Sequence, residues 1–261
     1  MFTIKKEGSL LGFLKEKTSL SVREVKRALE NGACSLNGKI ERFGSTKLKI
    51  GDKATFYLPE KAPVGTLKIL RQDRFLTLFN KPSGLVSTPE KGHYLVHRLD
   101  KGTSGVLLMA RTVSIKKALE ALFKRRELKK VYIALVKGFP HKESGTVDNK
   151  LGKKGTFHGQ IFYGASKIGK QAVTRYKVLK KGRRASLLEL HPETGRTHQL
   201  RVHLSELGYP ILGDLQYGRD ATFPKDIARL CLHAYRLSFI HPETGKKVTV
   251  TAPLPQLFSE P

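Results

Sequence analysis

Apolar and polar positions change period several times along this chain, and the changes divide it. Over residues 9–58 the stretches are short. Ser9-Leu10-Leu11-Gly12-Phe13-Leu14 predicts a brief helix. Ser21 and Glu24 have the spacing of a capping box, in which a serine hydroxyl and a glutamate carboxylate each accept from an orphan amide. The helix they open places Val22, Val25 and Leu29 at helical spacing, sets Arg23, Lys26 and Arg27 on another face, and is predicted to stop at Gly32. Asn37-Gly38, between Cys34-Ser35-Leu36 and Lys39-Ile40, predicts a tight hairpin. Gly51-Asp52 predicts a turn before a strand over 53–58. Pro59 to Gly65 has two prolines and little apolar matter, as a linker would.

Beyond it the stretches lengthen. Strands are predicted over Phe75–Asn80, Val106–Ala110, Val131–Val136, Thr174–Leu179 and Ser186–Leu190. Ser114–Arg125 is amphipathic, with Ile115, Ala118, Leu119 and Leu122 on one stripe. Thr197–Leu207 predicts another helix, ended by Gly208 and Pro210. Strands outnumber helices and do not alternate with them, which argues for an α+β fold with a mixed, mostly antiparallel sheet and flanking helices, against a doubly wound one. The expected organisation is a small α+β module at 1–58, a linker at 59–66, a large domain at 67–254 and a tail at 255–261.

Charge adds a partner to this picture. There are 49 Lys+Arg against 22 Asp+Glu, a formal net charge of +27, spread over the whole length. Such a charge repels itself and attracts polyanions, so nucleic acid is the expected partner, the alternative being a merely solubilising surface. Two distant cysteines, Cys34 and Cys231, suit a reducing cytoplasm. The amino terminus lacks the pattern of a signal peptide, and no apolar run approaches the roughly 18 residues of a membrane span.

Three segments carry candidate chemistry. In His97-Arg98-Leu99-Asp100-Lys101-Gly102-Thr103-Ser104-Gly105 a single carboxylate stands among cations, on a polar loop between two apolar runs. It suits a nucleophile or base held by flanking strands, or a simple turn-former. In Arg196-Thr197-His198-Gln199-Leu200-Arg201 the two arginines are five apart and leave the backbone in different directions. One can reach phosphate while the other turns inward, where a guanidinium can hold a carboxylate; a basic helix face is the plainer alternative. Tyr132, in the apolar run of Lys129-Lys130-Val131-Tyr132-Ile133-Ala134-Leu135-Val136, is a core tyrosine or one that stacks on a base.

Other matches fail. Gly164–Lys170 opens like a phosphate-binding loop, but Gln171 stands where a hydroxyl is needed, and it is expected to be an ordinary loop. His198 and His203 are five apart, without the spacing of a zinc site. His-Pro-Glu-Thr-Gly occurs twice, at 191 and 241, each time after an apolar strand.

The three segments, in this order, resemble those of the RluA-type RNA pseudouridine synthases: HRLDKGTSGVLLMAR, KKVYIALV and ETGRTHQLRVHLSELGYPILGD, preceded by Asn80-Lys81-Pro82-Ser83-Gly84-Leu85. The resemblance covers about 67–254. Residues 9–58 are similar to the αL-type RNA-binding module that often precedes this catalytic domain. The resemblance implies that Asp100 is the catalytic aspartate, that Tyr132 packs on the target base, and that Arg201 pairs with Asp100, a geometry suited to a bidentate grip. It implies that Arg98 enters the RNA in place of the flipped base, while Arg196, Arg23, Lys26 and Arg27 are expected to meet phosphates. An isomerisation needs no redox change, so no cofactor and no metal are expected. The implied partner is RNA, ribosomal RNA of the large subunit ahead of transfer RNA, acted on by a cytoplasmic monomer. A non-catalytic RNA-binding or ribosome-assembly protein would share the charge and the module but would have no need of the Asp, Tyr and Arg set.

Overall fold

The computed structural model describes residues 1–30, 33–56, 65–157, 160–218, 227 and 229–259, with Arg27, Glu30, Phe157 and Gln160 as backbone. The chain divides into two compact units, Met1–Pro63 and Val64–Pro261.

The first unit runs β1 (Phe2–Thr3), β2 (Gly8–Ser9), α1 (Leu10–Lys17), α2 (Val22–Glu30), β3 (Cys34–Leu36), β4 (Lys39–Ile40), β5 (Lys47–Leu48) and β6 (Lys53–Phe56). A sheet in the order β1-β6-β3-β4 and the pair β2-β5 enclose, with the helices, a core of Ile4, Leu10, Leu14, Val25, Leu29, Cys34, Leu48 and Ala54. The capping box forms: the Ser21 amide donates to Glu24 Oε2 (2.9 Å) and the Glu24 amide to Ser21 Oγ (3.3 Å). At the hairpin, Asn37 and Gly38 both take positive φ, 51° and 81°, as a two-residue turn matched to strand twist requires. Two expectations need correction. α1 extends beyond Leu14 to Lys17, since Ser9 caps it by accepting from the Gly12 amide and nothing breaks it sooner. Val22, expected on the apolar stripe, is 45% exposed at the helix's first residue, and burial begins at Val25. Within the expected module at 1–58, β1 pairs with β6 through Phe2↔Ala54. The predicted stop at Gly32, residues 57–58 of the predicted strand and most of the predicted linker lie outside the described residues.

The second unit runs β7 (Lys68–Gln72), β8 (Leu76–Lys81), β9 (Tyr94–Leu95), β10 (Ser104–Ala110), α3 (Val113–Arg125), β11 (Lys129–Lys137), β12 (Ser144–Phe157), β13 (Gln160–Ala165), β14 (Lys170–Lys181), β15 (Ala185–Pro192), α4 (Gln199–Glu206), β16 (Leu232–Ile240) and β17 (Lys247–Thr251). Its sheet has the order β13-β12-β14-β15-β11-β16-β10-β8-β7, with β17 on β16 and β9 on β10. The described pairs are antiparallel except β10 with β16, so the sheet is mixed and mostly antiparallel. All seven residues of β10 are buried, because both faces are covered. Val106, Leu108 and Ala110 meet Ile115, Leu119 and Leu122 of α3 on one face; Leu107 and Met109 meet Phe79 and Leu99 on the other.

Leu200 and Leu204 of α4 pack with Ile133 and Leu135 of β11. The predicted helix over Thr197–Leu207 is shorter than expected, because His198 has a left-handed backbone (φ 56°) that a right-handed helix excludes. Of Gly164–Lys170, the ends belong to β13 and β14 and residues 166–169 form the turn between them, closed by the Gly169 amide on the Ser166 carbonyl. The repeated pentapeptide has two settings: at 241 it turns β16 into β17, while at 191 it ends β15 beside the pocket described below. The expected tail contains Phe258, which is fully buried, as its apolar ring favours, beside Leu232 and Cys231. No helix among the described residues is long and apolar enough to cross a membrane.

Candidate active site

Asp100 lies on the loop between β9 and β10, and the backbone on both sides of it is pinned. Before it, Leu99 is buried, and Ser87 Oγ both donates to the Leu99 carbonyl (2.9 Å) and accepts from its amide (3.1 Å). After it, the Lys101 carbonyl accepts from the Gly84 amide (2.8 Å) and from Lys81 Nζ (3.3 Å), and the Gly102 carbonyl accepts from Ser83 Oγ (2.7 Å). Lys81 is wholly buried and also donates to the carbonyls of Pro82 and Leu85. Burial first, and the Arg229 charge second, lower its pKa to about 8, against the pull of Asp100. Gly105 lets the strand run against β16: a Cβ there would stand 2.2 Å from the Ala234 carbonyl oxygen, and its φ is +109°. His97 is structural. Its Nε2 accepts from the Leu108 amide (3.0 Å), and burial, with Lys130 second, lowers its pKa to about 4.

Arg201 reaches this loop from α4. Its Nη1 donates to Asp100 Oδ2 (3.2 Å), across 101 residues of sequence. The expected bidentate grip on Asp100 is not what forms. The fork goes to Asp214 instead, Nε to Oδ2 (2.7 Å) and Nη2 to Oδ1 (2.9 Å), and Nη2 also meets Gln216 Oε1 (3.0 Å). The reason is burial: the Asp214 side chain is 0% exposed and needs a full set of donors, whereas that of Asp100 is 30% exposed at the pocket mouth. Burial opposes the charge on Arg201, but the Asp214 bonds and the two carboxylates outweigh it and hold its pKa above the ordinary value.

The helix that aims Arg201 is itself anchored. Gln199 Nε2 donates to the Val173 carbonyl and to Thr174 Oγ1 (both 2.9 Å). His203 bridges Thr174 Oγ1 (2.9 Å) and Asn149 Oδ1 (3.1 Å), and burial lowers its pKa to about 4. His198 joins the loop from the start of the helix: Nε2 stands 3.9 Å from Asp100 Oδ1, and Nδ1 is 2.8 Å from the Tyr217 hydroxyl. Burial and then Arg201 lower its pKa, with Asp100 and Asp214 opposing.

Tyr132 enters from β11 at a β-bulge against β16, between Val131 and Tyr132, a device that re-aims a side chain. Its ring packs by Phe79, Leu99 and Ala234, and burial, then the nearby Asp100 charge, push its hydroxyl pKa above the ordinary range. Asp100, Tyr132, Arg201, Arg98, Arg196 and Lys130 line one cavity of about 140 Å³. Arg98 is exposed at its mouth. Arg196 precedes α4, and its Nε donates to the Gln171 carbonyl (2.8 Å). Lys130 donates to the Thr194 carbonyl (3.2 Å), and burial and then Arg126 lower its pKa to about 8.

Five of the residues singled out from sequence therefore share one cavity. Arg23 and Lys26 are exposed on α2 of the other unit, and the Arg27 side chain lies outside the described residues. Sequence reasoning gave no role to Asp214, His198, Tyr217 or Lys130. Asp214 carried a signal, a lone acid after the apolar Ile211-Leu212, but nothing local named its partner.

Comparison with known proteins places the chain in a family. The family model described as RNA pseudouridylate synthase matches residues 76–206. An uncharacterized RNA pseudouridine synthase of Synechocystis sp. is 32% identical, with 92% of this chain and 84% of that protein covered. The ribosomal large subunit pseudouridine synthase D of Zymomonas mobilis is 34% identical, with 92% and 87% covered. The solved structure of human RNA pseudouridylate synthase domain containing 4 superposes with a TM-score of 0.62 at 30% identity, over 73% of this chain and 90% of that one. The chain belongs to the RNA pseudouridine synthase family, isomerases that act on RNA.

Proposed function

We propose that this enzyme isomerises uridines of large-subunit ribosomal RNA, with Asp100 as its catalytic carboxylate. The observation that carries the assignment is the meeting of Asp100, Arg201 and Tyr132 in one cavity from three distant segments. The target base leaves its stack, at a cost of roughly a few kcal/mol, and Arg98 at the mouth fills the vacancy. Asp100 then acts on the sugar, at the anomeric carbon or at the proton of its neighbour, and the bond from N1 of uracil to the sugar breaks. Arg201 holds one oxygen of Asp100 and leaves the other open. The uracil turns against the Tyr132 ring and rejoins the sugar through carbon 5 as Asp100 leaves the anomeric carbon, or gives back the proton it took; carbon 5 then loses its proton and N1 gains one. No redox step arises, so no cofactor is assigned.

The ribosomal target is supported by relatives whose names state it, in Zymomonas mobilis and, at 36% identity over 72% of this chain, in Nitrosomonas europaea. Arg23 and Lys26 on the amino-terminal unit, and Arg196 at the cavity, are assigned to phosphate contacts. Cys34 and Cys231 are buried thiols in separate cores, which suits work in the cytoplasm. The test is tritium release from RNA labelled at uracil carbon 5 and taken from cells lacking the gene, with ribosomal and transfer RNA assayed apart. Release from ribosomal RNA by the wild type, and none by Asp100→Asn, is expected. Release from transfer RNA alone would overturn the target, and an active Asp100→Asn would overturn the residue.

A further inference from the structure

His198 is a residue of this cavity that the mechanism above leaves unused. Its backbone is left-handed, a conformation a non-glycine side chain takes only where the surroundings demand it. Those surroundings are specific. The Tyr163 amide donates to the Tyr217 hydroxyl (3.2 Å), and that hydroxyl lies 2.8 Å from His198 Nδ1. The rings of Tyr163 and Tyr217 meet the imidazole edge-on, at 5.7 and 5.6 Å between centroids. The Tyr217 hydroxyl, already accepting from an amide, has its O–H available to donate to Nδ1, and in the tautomer that this bond selects the ring proton is on Nε2. That nitrogen faces Asp100 Oδ1 at 3.9 Å, while Arg201 holds Oδ2.

We propose that His198 is a positioning residue for Asp100. Through the chain Tyr163 amide, Tyr217 hydroxyl and imidazole, a neutral Nε2–H is set beside Oδ1, the oxygen that Arg201 leaves open. The carboxylate is thereby bracketed: Arg201 anchors one oxygen, and His198 limits rotation of the other without closing a full hydrogen bond on it. This inference rests on Asp100 as the catalytic carboxylate. It has a consequence in pH. The groups that face His198 are Asp100, Arg201, Asp214, Tyr217 and Tyr163; burial and then Arg201 lower its pKa against Asp100 and Asp214, which favours the neutral ring. Once protonated, the imidazolium is drawn onto Oδ1 as an ion pair and covers the reacting oxygen.

Two variants separate side chain from backbone. Asparagine accepts left-handed φ readily but is too short to reach Asp100; glutamine carries an N–H donor to about the reach of Nε2 but bears the strain. A purely structural role therefore favours His198→Asn, and the positioning role favours His198→Gln. In single-turnover tritium release, His198→Asn is expected to slow on the order of 10- to 100-fold. Its RNA affinity should stay within about twofold, as for an interaction made only in the transition state. His198→Gln is expected to keep the larger share of the rate. It should also flatten the fall in rate that the wild type shows as pH drops below the ordinary histidine range. An asparagine variant as fast as the glutamine one, or an acid limb unchanged in His198→Gln, would overturn the proposal. If Asp100→Asn is active, the assignment of Asp100 fails first; if Asp100→Asn is silent while both His198 variants match the wild type, the inference about His198 alone fails.

Discussion

Asp214 anchors the charge system of the cavity through the fork of Arg201, and Asp214→Asn tests that system most directly. The wild-type carboxylate accepts from Arg201 Nε and Nη2, and Oδ1 also accepts the amides of Gln216 (3.0 Å) and Tyr217 (3.1 Å). Asparagine can keep an oxygen for the two amides and Nη2. Its NH₂ group then meets Arg201 Nε, a donor facing a donor. The guanidinium, with a side chain only 11% exposed, is left with Asp100 as its counter-charge. Removing one partner of a buried ion pair costs roughly 3–5 kcal/mol. The loss is measured as the shift of the larger unit's transition in urea, followed by circular dichroism. A second consequence is kinetic: with Nε facing a donor, the fork that aims Arg201 is broken, and its Nη1 no longer holds Asp100 Oδ2 in place. Tritium release should fall on the order of 10- to 100-fold while RNA affinity is kept. Replacing Arg201 by methionine in the same chain removes the stranded charge, so the double variant is expected to be more stable than the sum of single losses by about 1–3 kcal/mol. A loss below about 1 kcal/mol, or simple additivity, would refute the claim that Asp214 is the main anchor of Arg201.

Other outcomes follow from single contacts. Gly105→Ala sets a methyl 2.2 Å from the Ala234 carbonyl at a positive φ, and should destabilise by several kcal/mol, on the order of 3 or more; an unchanged melting temperature sinks the steric argument. His97 and His203 are held neutral, with pKa values near 4 against about 6.5 when unfolded. Between those values the unfolded chain binds more protons, so stability falls as pH drops from about 6.5 towards 4, by up to about 1.4 kcal/mol per pH unit for each histidine. His203→Gln should make that fall shallower, as read from urea midpoints at a series of pH values; an identical slope would exclude His203 as a contributor. Arg23→Ala and Lys26→Ala should each lower the salt dependence of RNA affinity by about 0.7–0.9 in slope while the rate on saturating RNA is unaltered; unchanged slopes would remove the face of α2 from the RNA contact.

Much of this protein is local and was legible as such. The capping box at Ser21 and Glu24, the Asn37-Gly38 turn and the amphipathic stripe of α3 depend on residues within a few positions of one another, so period and turn chemistry suffice for them. The excess of strands over helices, without alternation between them, and the +27 charge point to the fold class and the kind of partner. Asp100, Tyr132 and Arg201 could be picked out because three motifs occur together, not because any one residue declares its chemistry. What local pattern could not decide is who meets whom. Arg201 chose Asp214 for its fork and gave Asp100 one bond, because one carboxylate is fully buried and the other stands at the mouth. Tyr132 turned into the cavity because β11 bulges against β16. His198 left the helix that its sequence extends, with its ring held at Nδ1 by the distant Tyr217 hydroxyl. These pairings join residues up to 101 positions apart. Sheet register and helix docking bring them together, and the cost of leaving a buried charge unpartnered selects among the contacts that result.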